Sequence, residues 1–98
     1  MSRPVKLRRQ ARKKLDEAVD WYERKRLGLG EELRACVHEV LDRISKFPQL
    51  HSLAYKDIRR TMVRRFPYAV LYRVKRDRVV VIAVFHASRD PREWQRRV

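Results

Sequence analysis

Apolar residues repeat every three to four positions between Ala11 and Phe47, and from Asp57 the period changes to the two of a strand. That change of period sets the order of elements, with helices first and most strands after. Ala11, Leu15, Ala18, Val19 and Tyr22 share one helical face, with Lys13, Lys14, Asp16, Glu17, Asp20, Glu23 and Arg24 on the other side. The spacing predicts a helix over 11–26. Its start is poorly capped by Gln10 and carries Arg9, Arg12 and Lys13 where the helix dipole favours acid, so that end is expected to fray. Gly28 suits the left-handed position that closes a helix. Glu31 and Glu32 then open a second helix, in which Leu29, Leu33, Cys36, Val37, Val40, Leu41, Ile44 and Phe47 keep helical spacing until Pro48 stops it. So short a join makes the two an antiparallel hairpin.

"PQLHSLAY", residues 48–55, reads as a loop. In residues 57–65 Ile58, Arg60, Met62 and Arg64 alternate with Arg59, Thr61, Val63 and Arg65, a strand that Pro67 interrupts. Tyr68 to Val74 is rich in aromatic and β-branched residues, a second strand. After the turn "KRDR", Val79 to Phe85 is seven consecutive apolar residues, a strand buried on both faces and therefore expected at the centre. Near the start, residues 3–9 place Val5 and Leu7 two apart behind Pro4, a short edge strand. Asp90 and Pro91 fit the cap and first position of a closing helical turn. The fold class is α+β, in the order β-α-α-β-β-β. The helical hairpin packs on one face of a small, mainly antiparallel sheet and leaves the other face uncovered. With 98 residues the chain is expected to be one domain, 1–98.

The net charge of +14 calls for an anionic partner: nucleic acid, an anionic membrane surface or an acidic protein. Cys36 is alone, which excludes an internal disulfide and a thiolate metal cluster and fits a core residue in a reducing cytoplasm. No stretch reaches the ~20 apolar residues of a membrane span, and Met1 to Gln10 holds no signal-like apolar run. No P-loop, GxGxxG, HExxH or CxxC is present, so neither cofactor nor metal is expected. Of the histidines, His38 lies among charged helix positions and His51 in a loop. His86 ends the last strand just before Arg89 and Arg92, where it either satisfies a strand-end carbonyl or serves as a general acid or base. Arg59, Arg60, Arg64 and Arg65 send guanidiniums to both sheet faces, as a phosphate- or carboxylate-binding surface or as a charged edge that blocks aggregation. Tyr68, Tyr72 and Trp94 would serve for base stacking if the chain were a small basic RNA-binding module.

Two stretches, "LDEAVDWYERKRLGLGEEL" and "DIRRTMVRRFPYAVLYRVKRDRVVVIAVFHASRDPREW", resemble the ParE/RelE superfamily of toxins from type II toxin–antitoxin systems, most closely its ParE-like branch. The resemblance runs from Leu15 through nearly all the rest of the chain. It implies a cytoplasmic toxin held inactive by a cognate acidic antitoxin, which wraps an extended and helical tail around it. It also implies one of two targets. ParE members inhibit DNA gyrase, whereas RelE members cut messenger RNA on the ribosome. In the ribonuclease branch an arginine follows the aromatic that matches Tyr68, and here that position is Ala69. The late catalytic tyrosine of that branch falls near Trp94, which has no phenolic hydroxyl. Gyrase is therefore the expected target and messenger RNA the alternative, with Arg65, His86 and Arg89 as the groups left for catalysis. Target or antitoxin contacts are expected from Arg59, Arg60, Arg64, Arg65, His86, Arg89, Arg92 and Trp94.

Overall fold

The computed structural model describes residues 2–98. Its elements run β1 (Val5–Leu7), α1 (Arg9–Lys25), α2 (Leu29–Lys46), β2 (Leu53–Tyr55), β3 (Ile58–Met62), β4 (Tyr68–Val74), β5 (Val79–His86) and α3 (Arg92–Gln95). The five strands form one sheet in the order β1-β5-β4-β3-β2. β3, β4 and β5 are the antiparallel meander, and β1 joins β5 in parallel with Val5 opposite Val79.

The helical hairpin follows the predicted stripes. Ala11, Leu15, Ala18 and Val19 of α1 and Leu33, Cys36, Val37, Val40 and Ile44 of α2 are buried against Val70, Tyr72, Val79, Val81 and Val84 of the sheet. Each leucine, isoleucine or valine among them, fully buried, is worth about 1.5–3 kcal/mol. Gly28 takes a φ of 90°, the left-handed region that needs no Cβ. A Cβ on Gly30 would lie 2.4 Å from the Val19 carbonyl oxygen, so the hairpin closes tightly only with glycine there. Two features of the stripes differ from expectation. Leu41 is only half-buried at the flank of α2, and Phe47 lies past the helix end with 61% of its surface exposed.

The other corrections concern strands. Leu53–Tyr55, expected as loop, pairs with β3 as an edge strand. β3 ends at Met62 rather than residue 65, because the chain turns: Arg65 adopts φ 72° and Val63 tucks into the helix-side core. β5 is an inner strand, second from the edge, and β4 holds the middle. Leu71 faces Ala83 while Tyr72 faces Val81, so Ile82 is the extra residue of a β-bulge. The bulge lets Ile82 and Ala83 both point away from the helices, into a second core with Ile58, Ala69 and Leu71. That far face is partly covered. Trp94 of α3 is 3% exposed and packs there edge-on against Tyr55, with ring centroids 5.8 Å apart. Trp94 is thus a core residue, and its ring is not offered to a partner or to a nucleic-acid base.

Candidate functional site

Between α1, the paired ends of β4 and β5, and the C-terminal turn lies a cavity of about 340 Å³. Its aromatic wall is laid down by register. Tyr68 sits opposite His86 across the β4–β5 pair, and their rings meet at 5.1 Å in a T-shaped contact. Tyr22 of α1 meets Tyr68 at 6.3 Å and Phe66 at 5.1 Å, and Trp21 stands beside Tyr22 at 4.9 Å. Trp21 is 48% exposed, with the Lys25 ammonium 4.7 Å above its ring. Phe85 and Val84 complete the apolar lining, and Lys14, Glu17, Arg89, Glu93 and Arg97 form the charged part. Burial first, and the neighbouring Tyr22 second, push the Tyr68 phenol above its ordinary value, with Arg89 opposing. The phenol therefore stays neutral, able to donate or accept a hydrogen bond.

His86 is held by a short turn. Ser88 donates its backbone N–H to Nδ1 at 3.1 Å and its Oγ lies 2.7 Å from the same nitrogen. Arg89 N–H donates to the His86 carbonyl at 3.0 Å. With Nδ1 accepting, the ring proton belongs on Nε2. No carboxylate among the described residues orients the ring. Arg89 makes a loose pair with Glu93 at 3.8 Å.

The expected site residues do not form one surface. Only His86 and Arg89 share the aromatic cavity. Arg64 and Arg65 face the second helix instead. Arg64 grips Glu39 with two hydrogen bonds, at 2.7 and 3.2 Å, and holds that carboxyl below its ordinary range, with Arg65 adding to the effect. Arg59 lies on the helix side of β3 and donates to the His51 carbonyl at 2.6 Å, a structural role. Arg60, opposite Leu71, is exposed on the far face. Arg92 is clasped by Asp90, whose carboxyl is lowered to about 2 by Arg92's side chain and then by its backbone N–H. α3 begins one residue later than expected, with Pro91 at its N-cap, and Asp90 accepts from the first helical N–H from just outside the helix. His38 is exposed, as expected for a solvated position. Ala69 is buried at 1% and supplies no functional group.

The reading of site residues missed Trp21, Tyr22 and Phe85. A signal was present for Trp21, a large aromatic one position off the buried stripe of α1 and so committed to the surface. The cavity offers aromatic faces, the phenols of Tyr22 and Tyr68, and guanidinium and ammonium groups beside Glu17 and Glu93 at its rim, a combination suited to an apolar anchor flanked by acid. Among the described residues no group of histidine, cysteine, aspartate and glutamate could hold a metal ion. Among the same residues no helix is long and apolar enough to cross a membrane.

Comparison with known proteins agrees with this architecture. The family model for the ParE toxin of the type II toxin–antitoxin system, parDE, matches residues 5–91. A solved structure described as the chromosomal ParDE TA system from P. aeruginosa superposes with a TM-score of 0.72 over 89% of this chain and 98% of that one, at 18% identity, a likeness of fold. No curated protein sequence matches the chain.

Proposed function

This chain belongs to the ParE toxin family of type II toxin–antitoxin systems, and from that premise we propose that it arrests growth by binding DNA gyrase and is neutralised by a cognate acidic antitoxin seated in the aromatic cavity. The observation that carries the choice of binding over RNA cleavage is the state of His86. Its Nδ1 accepts from the Ser88 N–H, which leaves the ring proton on Nε2, so in this arrangement neither ring nitrogen has a free lone pair with which to act as a general base. Arg65, the other basic group considered for cleavage, lies towards Glu39, away from His86 and Arg89. Ala69 and the buried Trp94 supply neither of the remaining groups that the ribonuclease branch uses.

An antitoxin segment with an apolar side chain would fill the space between Trp21, Tyr68 and Phe85. Its carboxylates would meet Arg89 and Lys14. The +14 charge steers such a partner in from a distance. The test is to assay the purified chain for inhibition of gyrase supercoiling or trapping of cleaved DNA, and separately for cleavage of translated message. Gyrase inhibition with intact message is the expected result. Site-specific message cleavage with unaffected supercoiling makes the chain an endoribonuclease instead.

A further inference from the structure

A second cavity, of about 320 Å³, opens where the β1–α1 junction meets the C-terminal turn. Arg8 and Arg9 line it from the junction of β1 and α1, and Arg97 from the C-terminal turn, with Gln10 and Ile82 beside them. No carboxylate among the described residues lines it. The aromatic cavity differs in this respect, since its Lys14 and Arg89 pair with Glu17 and Glu93. Among the described residues neither Arg8 nor Arg9 has an ion-pair partner, and Arg97 donates only to the neutral amide oxygen of Gln10. Arg12 follows one turn later, and the first turn of α1 contains no acid to relieve the positive potential. Three guanidiniums gathered around one opening repel one another unless an anion sits among them.

We propose that this cavity binds the phosphates of a nucleic-acid backbone. Guanidinium forks donate paired hydrogen bonds to phosphate oxygens. Among the described residues Ile82 is the one apolar side chain here, and no aromatic ring lines the opening. The cavity therefore has nothing to stack on a base and nothing to anchor an apolar peptide side chain. What it offers is charge alone, the chemistry of sequence-independent backbone contact. An acidic peptide finds its apolar anchors in the other cavity.

The test is fluorescence anisotropy of a labelled single-stranded oligonucleotide and its duplex with the full chain across a salt series. Arg8→Glu with Arg9→Glu is compared with Lys75→Glu and Arg76→Glu, an equal change of charge on the exposed β4–β5 turn. The cavity variant is expected to fold, because acid is favoured in a first helical turn, and a thermal melt verifies it. It should weaken binding about tenfold more than the control and make the salt dependence shallower by about two in log–log slope, since every phosphate left without its arginine takes nearly one unit from that slope. Equal losses in both variants would assign binding to the overall charge and overturn the site. Polyglutamate displacing the oligonucleotide as well as unlabelled oligonucleotide does would assign it to acidic peptides and overturn it too. So would inorganic phosphate raising the melting temperature of the parent but not of the cavity variant, with oligonucleotide affinity the same in both. None of these outcomes depends on growth inhibition or gyrase, so the phosphate site stands or falls apart from the function proposed above.

Discussion

Tyr72 is fully buried, and its hydroxyl donates at 2.8 Å to the carbonyl of Pro48, the residue that stops α2. Tyr72→Phe keeps the ring and strands that carbonyl, so it should cost about 1–3 kcal/mol in urea denaturation. A loss under about 0.5 kcal/mol, the usual surface range, would mean that water takes the hydroxyl's place. At the cavity, whose rim we take gyrase to share with the antitoxin, His86→Ala should leave growth inhibition largely intact while Arg89→Glu reduces it, because a reversed charge repels an acidic surface. Both variants are compared at matched soluble expression with melts to verify folding. A folded His86→Ala protein without toxicity, beside a fully toxic Arg89→Glu, reverses the assignment, since acid–base groups typically contribute about 10²–10⁴-fold. The strand parity of Tyr68 and Tyr72 was legible, and it puts both rings on the helix side. The fate of Trp94 was not, because a single ring in a short charged tail carries no periodicity to say which way it turns.

The helical hairpin is closed by a carboxylate that no local pattern announces. Glu23 of α1 accepts from the backbone N–H groups of Gly28 at 2.7 Å and Gly30 at 2.9 Å, and so caps α2 from its neighbour. Contacts between Val19 and Gly30, and between Asp16 and Arg34, run antiparallel along the pair. Gly30→Ala is a sharp test of this packing. Helix propensity alone would gain about 1 kcal/mol, whereas wedging a methyl against the Val19 carbonyl costs roughly 1–3 kcal/mol. The expected outcome is a net loss and a lower melting temperature, and a stabilised protein would show that the helices can separate without penalty. Both helices were readable because each keeps its period over several turns, β3 from its alternation, β4 from its aromatic and β-branched residues, and β5 from its unbroken apolar run. β2 was not, being three residues between polar neighbours, and the end of β3 was hidden because alternation continues through Arg65 while the backbone has already turned. The bulge at Ile82 is invisible in an unbroken apolar run, where every residue suits either face.

Across the whole molecule, protons remove support from several places together. Glu23 is held below its ordinary value of 4.5, first by the Gly28 N–H, and Glu39 by Arg64. Asp57 is lowered by Arg73, and Asp90 by Arg92 to about 2. A carboxyl lowered in the folded state contributes stability above its unfolded value and loses it as pH falls through the folded one. His51, lowered from 6.5 by burial and then by Arg43, acts in the same direction from a higher pH, since the unfolded chain takes its proton first. Each protonated carboxyl also raises a net charge that is already +14. The melting temperature should therefore decline gently as pH drops past 6.5 and steeply from about pH 4 towards 2, with salt softening the steep part by screening. A circular-dichroism melt series checks this, and a melting temperature that climbs towards pH 3 contradicts it. One further consequence lies in the pairing of β1 with β5. Val5 bonds alongside Val79, and Arg3 exchanges hydrogen bonds with Ser45 at the end of α2. β1 is synthesised before α1, α2 and the other strands, and must wait for β5 before its neighbour exists. Closing so long a loop is slow compared with forming the hairpins between. The arginines at the β1–α1 junction therefore reach their place beside the C-terminal turn last, and a nascent or partly folded chain carries the charge of the phosphate cavity without its shape.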